Sequence, residues 1–265
     1  MPRFEYANPL GLVMYRSRNP TLSDSTFDKS NYQEATWWNE DSNLMTMEGT
    51  VEKTGILLIL TATLAIATYA FFPSLYIIGF LGGFITAMIV IFSRSTNPVL
   101  ICGYAVFEGI ALGGFTYFVE LSVDQPGLGI LAAAITFIIL GSMLAIYRAG
   151  LISWDRNLAI AVYSSLGAIV LIYLISIVGM FFGFNVPLIH GNGPVGIMFS
   201  LFVIAIGSLC LVADFDFIEK GVHRGAPKQL EWRAAFGLMI TLIWLYVEIL
   251  NLLAKLASQK SIHRL

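Results

Sequence analysis

From about residue 55 to the C-terminal end, long unbroken apolar runs alternate with short polar interruptions, whereas the first 50 residues show no sustained period. A helix crossing a bilayer needs roughly 20 apolar residues. The runs that meet this requirement predict seven helical spans, at about Gly55–Phe72, Leu75–Phe92, Pro98–Val119, Gly127–Tyr147, Leu158–Phe184, Pro194–Phe217 and Ala234–Leu256. Only Pro73 and Ser74 separate the first two. Read as one helix, residues 55–92 would extend about 57 Å, far beyond a bilayer, and Pro73 would break it. Two spans joined by a tight hairpin fit better. A transmembrane barrel is disfavoured, because barrel strands alternate apolar and polar residues and these runs do not. The expected class is therefore an all-α integral membrane protein built as a seven-helix bundle.

Composition agrees: 57% of the 265 residues are hydrophobic and the mean hydropathy is +0.77. The net charge of −2 implies no nucleic-acid partner. Cys102 and Cys210 lie inside separate predicted spans and read as small packing residues rather than a disulfide. Lys and Arg set orientation. With seven spans, the N-terminal side carries Arg3, Arg16, Arg18, Lys29, Lys53, Arg94, Arg148, Arg156, Lys220, Arg224, Lys228 and Arg233. The short loops opposite carry none and show Glu120, Asp124 and His190 instead. This bias predicts a cytoplasmic N-terminus, with Lys260 and Arg264 of the C-terminal tail on the disfavoured side of a true seventh span. Residues 1–50 are expected to form a polar, largely disordered cytoplasmic tail without a signal-peptide pattern, and residues 51–265 the membrane domain.

The candidate chemistry is a set of carboxylates within apolar spans: Glu108, Asp214 and Glu248. A charge in hydrocarbon costs at least about 2.5 kcal/mol, so such groups belong in a wet or paired interior. In the seventh span Gly237, Thr241, Trp244, Glu248, Asn251 and Lys255 recur at spacings of four and three and share one face, which should look into the bundle. The other faces lack charge too, as suits a helix surrounded by its neighbours. Lys255, near the helix end, is expected to snorkel. In the sixth span Asp214 is the inward-facing acid, while Asp216 and Glu219 are solvated or paired with Lys220 or Arg224. Glu108, one turn from Tyr104, reads equally as a structural hydrogen-bonded acid or a functional one, beside a close-packing face of Gly109, Gly113 and Gly114. If Asp214 and Glu248 converge, they either share a proton or hold a cation between them, and hard oxygen donors suit calcium. Arg94, at the end of the second span, could compete for that charge, although a positive-inside anchor is the more economical reading.

Asp214-Phe-Asp-Phe-Ile218 and Leu245-Tyr-Val-Glu-Ile-Leu-Asn-Leu-Leu253 resemble the two signature segments of the Bax inhibitor-1 family, in particular its bacterial YccA-like branch. Met45-Thr-Met-Glu-Gly-Thr-Val-Glu-Lys-Thr-Gly55, Gly103-Tyr-Ala-Val-Phe-Glu-Gly109 and Gly225-Ala-Pro-Lys-Gln-Leu-Glu-Trp232 extend the likeness over about residues 45–257. The resemblance implies a seven-helix bundle with the C-terminal helix at its centre, in a bacterial inner membrane. It also implies a pH-sensitive calcium leak channel in which Asp214 and Glu248 form the acidic sensor pair and Arg94 latches onto it. The sequence departs from that pattern in three places. Glu248 stands where the family usually has Asp. Glu108 lies outside the sensor pattern. The link between the acids is long: with a turn near Gly225 they are about 11 and 23 residues from it, an offset of roughly 18 Å. Pairing then requires Glu231–Phe236 to lie along the interface, with Gly237 as a bend.

Two functions follow as expectations: the gated cation pathway, and a membrane-embedded regulator of another membrane protein, such as a protease, contacting it through residues 1–50. An enzyme is the least favoured reading. His190, His223 and His263 fall in loops or the tail, Lys255 is too near the helix end to hold retinal, and no cofactor beyond a permeant or bound calcium ion is expected.

Overall fold

In the computed structural model, residues 43–183 and 191–262 are described. The tail expected over residues 1–50 lies almost wholly outside them, as does the end of the fifth predicted span. The described residues form seven long helices and no strand. They are α1 (Met47–Phe71), α2 (Tyr76–Phe92), α3 (Pro98–Val123), α4 (Leu128–Arg148), α5 (Arg156–Phe181), α6 (Pro194–His223) and α7 (Leu230–Ile262). All seven, α2 together with the turn that precedes it from Pro73, are long and apolar enough to cross a membrane. The protein is an all-α, seven-span integral membrane protein.

Helix starts follow local chemistry. The Thr46 side chain accepts from the Gly49 N–H at 3.0 Å, Asn97 from Val99 at 2.9 Å, and Asp155 from Leu158 at 2.9 Å, each capping an otherwise unsatisfied first turn. Pro73 opens a one-turn 3-10 segment between α1 and α2, so the expected hairpin forms there. Both α1 and α7 begin before the apolar runs do. A capped helix continues through Glu48, Glu52 and Lys53, although a hydropathy reading stops at those charges.

α7 is the core. Of its most apolar stretch, 61% is buried, against 11% for α5. Phe236 and Met239 pack with Leu57 of α1 and Ile101 of α3, Leu245 with Leu211 of α6, and Leu250 with Ala132 of α4. The C-terminal helix therefore sits among its neighbours, as expected. α3 packs closely on α1, because Gly109 and Gly113 present only backbone there. A Cβ at Gly109 would lie 2.6 Å from the Thr61 carbonyl oxygen, and one at Gly113 would collide with that of Ala65.

The start of α1 is fastened to the start of α7. Met45 N–H donates to the Ala226 carbonyl and Lys228 N–H to that of Asn43, both at 2.7 Å. The fully buried Glu231 carboxylate accepts from the Thr46 N–H at 2.9 Å, the Thr46 hydroxyl at 3.0 Å and Lys53 Nζ at 2.5 Å. Here the interfacial segment expected at Glu231–Phe236 is corrected. It is the buried first two turns of one continuous helix, with no element boundary at Gly237. Glu231 can enter the core because Lys53 offsets its charge.

Removing one partner of such a pair leaves a buried charge and costs about 3–5 kcal/mol in soluble proteins. Glu231→Ala should therefore lower thermal stability sharply. Lys53→Met combined with Glu231→Met should cost clearly less than the sum of the single changes. Additive losses in that double-mutant cycle, read by thermal unfolding in detergent, would show that the pair is not coupled.

Candidate functional site

One face of α7 carries polar side chains from end to end, and each neighbour answers at a different level. Asp214 is buried on α6, where Oδ2 accepts from the Thr241 hydroxyl at 2.7 Å; the same hydroxyl lies 3.5 Å from the Gly237 carbonyl oxygen one turn back. Two turns further along, buried Glu248 accepts from the Tyr173 hydroxyl of α5 at 2.6 Å, with the Trp244 side chain as a further partner. Another two turns on, Lys255 Nζ donates to Ser200 Oγ at 2.9 Å and to the Gly196 carbonyl at 3.1 Å, both at the start of α6. Gln259 reaches the Asn192 carbonyl at 2.8 Å. Lys255 is thus buried and bonded rather than snorkelling.

Asp214 and Glu248 address the same face of α7 but do not meet. Thr241, level with Asp214, precedes Glu248 by seven residues, which is nearly two full turns and about 10 Å along the axis. The expected convergence, and with it a cation held jointly by both acids, is corrected. α7 runs unbroken from Leu230 through Gly237, so no separate interfacial segment takes up the offset between them. Arg94 is not a latch on either acid. It is exposed in the α2–α3 turn, at a left-handed φ of 51°, and takes part in none of the ion pairs among the described residues.

Of the other expected interior residues, Thr241 is central to the site and Asn251 lies half-buried on the same face. Glu108 belongs elsewhere. It pairs with Tyr104 one turn back on its own helix and fills the space over Gly83 of α2, where an added Cβ would lie 2.8 Å from Oε1. Asp216 pairs with Lys220 at 2.5 Å, as expected, whereas Glu219 accepts from the Tyr147 hydroxyl of α4, a partner the sequence did not suggest.

Four polar residues lie where the sequence does not place them, among them Arg233, a loop cation by hydropathy but fully buried in the first turn of α7. Tyr173 sits in a span with no charge to flag it. Glu231 looked like an interfacial residue. Glu120, a loop acid by hydropathy, is buried near the end of α3 and accepts from Tyr69 Oη at 2.7 Å and the Gly129 N–H at 2.8 Å. Its signal was its place before Ser122 and Val123, within reach of one more helical turn. Among the described residues, no group of three or more His, Cys, Asp or Glu side chains could hold a metal ion.

Chemically, two carboxylates stand along this face at different levels, Asp214 from α6 and Glu248 of α7, each held by a neutral hydroxyl, with Lys255 close enough to Glu248 to act on its charge. A hydroxyl can donate to a carboxylate or accept from a carboxylic acid, so either protonation state keeps its hydrogen bond. A guanidinium partner would serve only the ionised form.

The Bax inhibitor 1 like family model matches residues 19–258, which takes in all of α1–α6 and most of α7 as well as part of the N-terminal segment. A search of curated proteins gave no match. With nearly the whole chain matched and the seven-helix architecture in place, the protein belongs to the Bax inhibitor 1 like family.

Proposed function

We propose that the protein is a pH-sensitive cation leak channel, with calcium as the permeant ion and the N-terminal end in the cytoplasm of a bacterial cell. The observation that carries this reading is two buried acids along one face of the central helix, Glu248 of that helix and Asp214 of α6 packed against it, each hydrogen-bonded to a hydroxyl and neither in a salt bridge among the described residues, with Lys255 acting on Glu248 only through its field. Hydroxyl partners let both acids change protonation without losing a hydrogen bond. Oxygen donors suit calcium. One acid per level gives weak, successive sites, which favour passage over capture. The absence of Lys and Arg from the loops opposite the N-terminal end supports the orientation. In this reading the acids act in series rather than as one shared-proton pair. Protonating either removes the charge that draws a cation to its level and shifts the balance between two helix arrangements.

Calcium influx into liposomes holding the purified protein tests this directly. Wild-type flux should change between mildly acidic and mildly alkaline pH. Asp214→Asn and Glu248→Gln each fix one site uncharged, so each should move the alkaline flux toward the acidic value, and the double variant further. Flux insensitive to both changes would rule the acids out. No flux from active, folded protein would favour a regulator of another membrane protein.

The Thr241–Asp214 bond gives a second test. Thr241→Val leaves Asp214 without its donor and should lower thermal stability by roughly 1–2 kcal/mol, whereas Thr241→Ser should keep most of it. Equal losses in the two variants would mean that the methyl group, not the hydroxyl, is what the site uses.

A further inference from the structure

We propose that a groove between α1 and α4 binds one membrane lipid with a primary-amine headgroup, such as phosphatidylethanolamine, its amine resting against Glu120 and one acyl chain lying along the groove. The inference does not depend on the transport reading, since the groove uses a different side of α7. Tyr246, which lines it, is two residues from Glu248 and so roughly 200° around the helix.

The cavity has a volume of about 450 Å³, within the range of small-molecule sites. Its floor is formed by buried Leu112 of α3 with Met239 and Leu242 of α7, and its rim by exposed Ile66, Ile130 and Phe137. α1 and α4 scarcely touch, so the groove opens sideways to the bilayer. Along α1 it runs from Leu58 to Tyr69, eleven residues or roughly 16 Å. Half of a hydrocarbon core of about 30 Å is nearly the same length, so the groove fits a chain from one leaflet.

The two ends differ in chemistry. Toward mid-membrane the lining is almost wholly apolar. At the other end stand Glu120, Tyr69 and the Thr116–Tyr246 hydroxyl pair, the last with an O···O separation of 2.7 Å. Glu120 is three residues from the end of α3, at the depth where headgroups begin. Its oxygens accept from a phenol and a backbone N–H, both neutral, and among the described residues no Lys, Arg or His pairs with it. A carboxylate keeps lone pairs beyond two such bonds, so an ammonium group can add to them and supply the missing charge.

Lipid tails are as apolar as the groove walls, so the chain itself gains little on entry. Selection therefore falls to the headgroup, and phosphatidylglycerol, anionic and without an amine, is the informative competitor.

Native mass spectrometry of the full-length protein, exchanged into detergent with equal phosphatidylethanolamine and phosphatidylglycerol of identical chains, reads the outcome. Wild type should retain one lipid, with phosphatidylethanolamine favoured about fivefold. Glu120→Gln should bring the ratio close to one while a lipid still binds. Ala62→Phe and Ala133→Phe, on opposite walls, should each abolish retention of both lipids. Equal retention of the two lipids by wild type overturns the headgroup assignment, and unchanged retention in both Phe variants overturns the groove. Because the wild-type ratio and the two Phe variants stand without Glu120→Gln, a folding defect in that variant leaves the decision intact.

Discussion

The burial of α7 depends on partners for the polar groups it carries inward, because an unmatched one costs several kcal/mol away from water. For five of those groups the neighbouring helices supply partners in order. Lys53 of α1 meets Glu231, Asp214 of α6 meets Thr241, Thr116 of α3 meets Tyr246, Tyr173 of α5 meets Glu248, and Ser200 of α6 meets Lys255. Apolar packing alone would let helices slide past one another in lipid with little penalty. These bonds remove that freedom, since slipping one helix by a turn strips its partner on α7 of a donor or acceptor. The same contacts that set the register thus place the acids.

The contacts are unevenly distributed, and that bears on which parts can move. The N-terminal end of α7 is clamped by Glu231, Lys53 and Thr46 and by the short pairing of residues 43–45 with 226–228. α5 is the least buried span and packs mainly on α6. Its hydrogen bond to α7 runs through Tyr173 to Glu248. A change in the protonation of Glu248 is therefore felt directly by the most loosely held helix. A change at Asp214 acts within the better-packed α6–α7 contact, in which Leu211, Phe215, Leu242 and Leu245 pack together.

Most of the fold was legible because bilayer thickness fixes span length, and the hydrophobic pattern reports it with little ambiguity. The stripe on α7 was legible for a similar reason: a period of three and four places Thr241, Glu248 and Lys255 on one face whatever surrounds them. Depth was not legible. Judging which residue of α6 lies level with which residue of α7 requires knowing where the turn ends and whether α7 bends, and both depend on the burial of Glu231. That burial rests on Lys53, 178 residues away in sequence, a pairing no local pattern announces. Tyr173 and Glu120 were missed for the same reason, their roles being set by tertiary partners.

The separation of the acids changes what protonation can do. Set at levels about 10 Å apart along α7 and bonded to different hydroxyls, the two carboxylates repel each other less than a contacting pair would, and no shared proton links them. A close pair would titrate as one strongly split unit, with properties belonging to neither residue. Asp214 and Glu248 instead take up protons against separate local partners, coupled only by the weakened field and the helix between them. Two such stations along one face make a graded response to pH more natural than a single all-or-none step. They also let a passing cation exchange one carboxylate for the next without both releasing it at once.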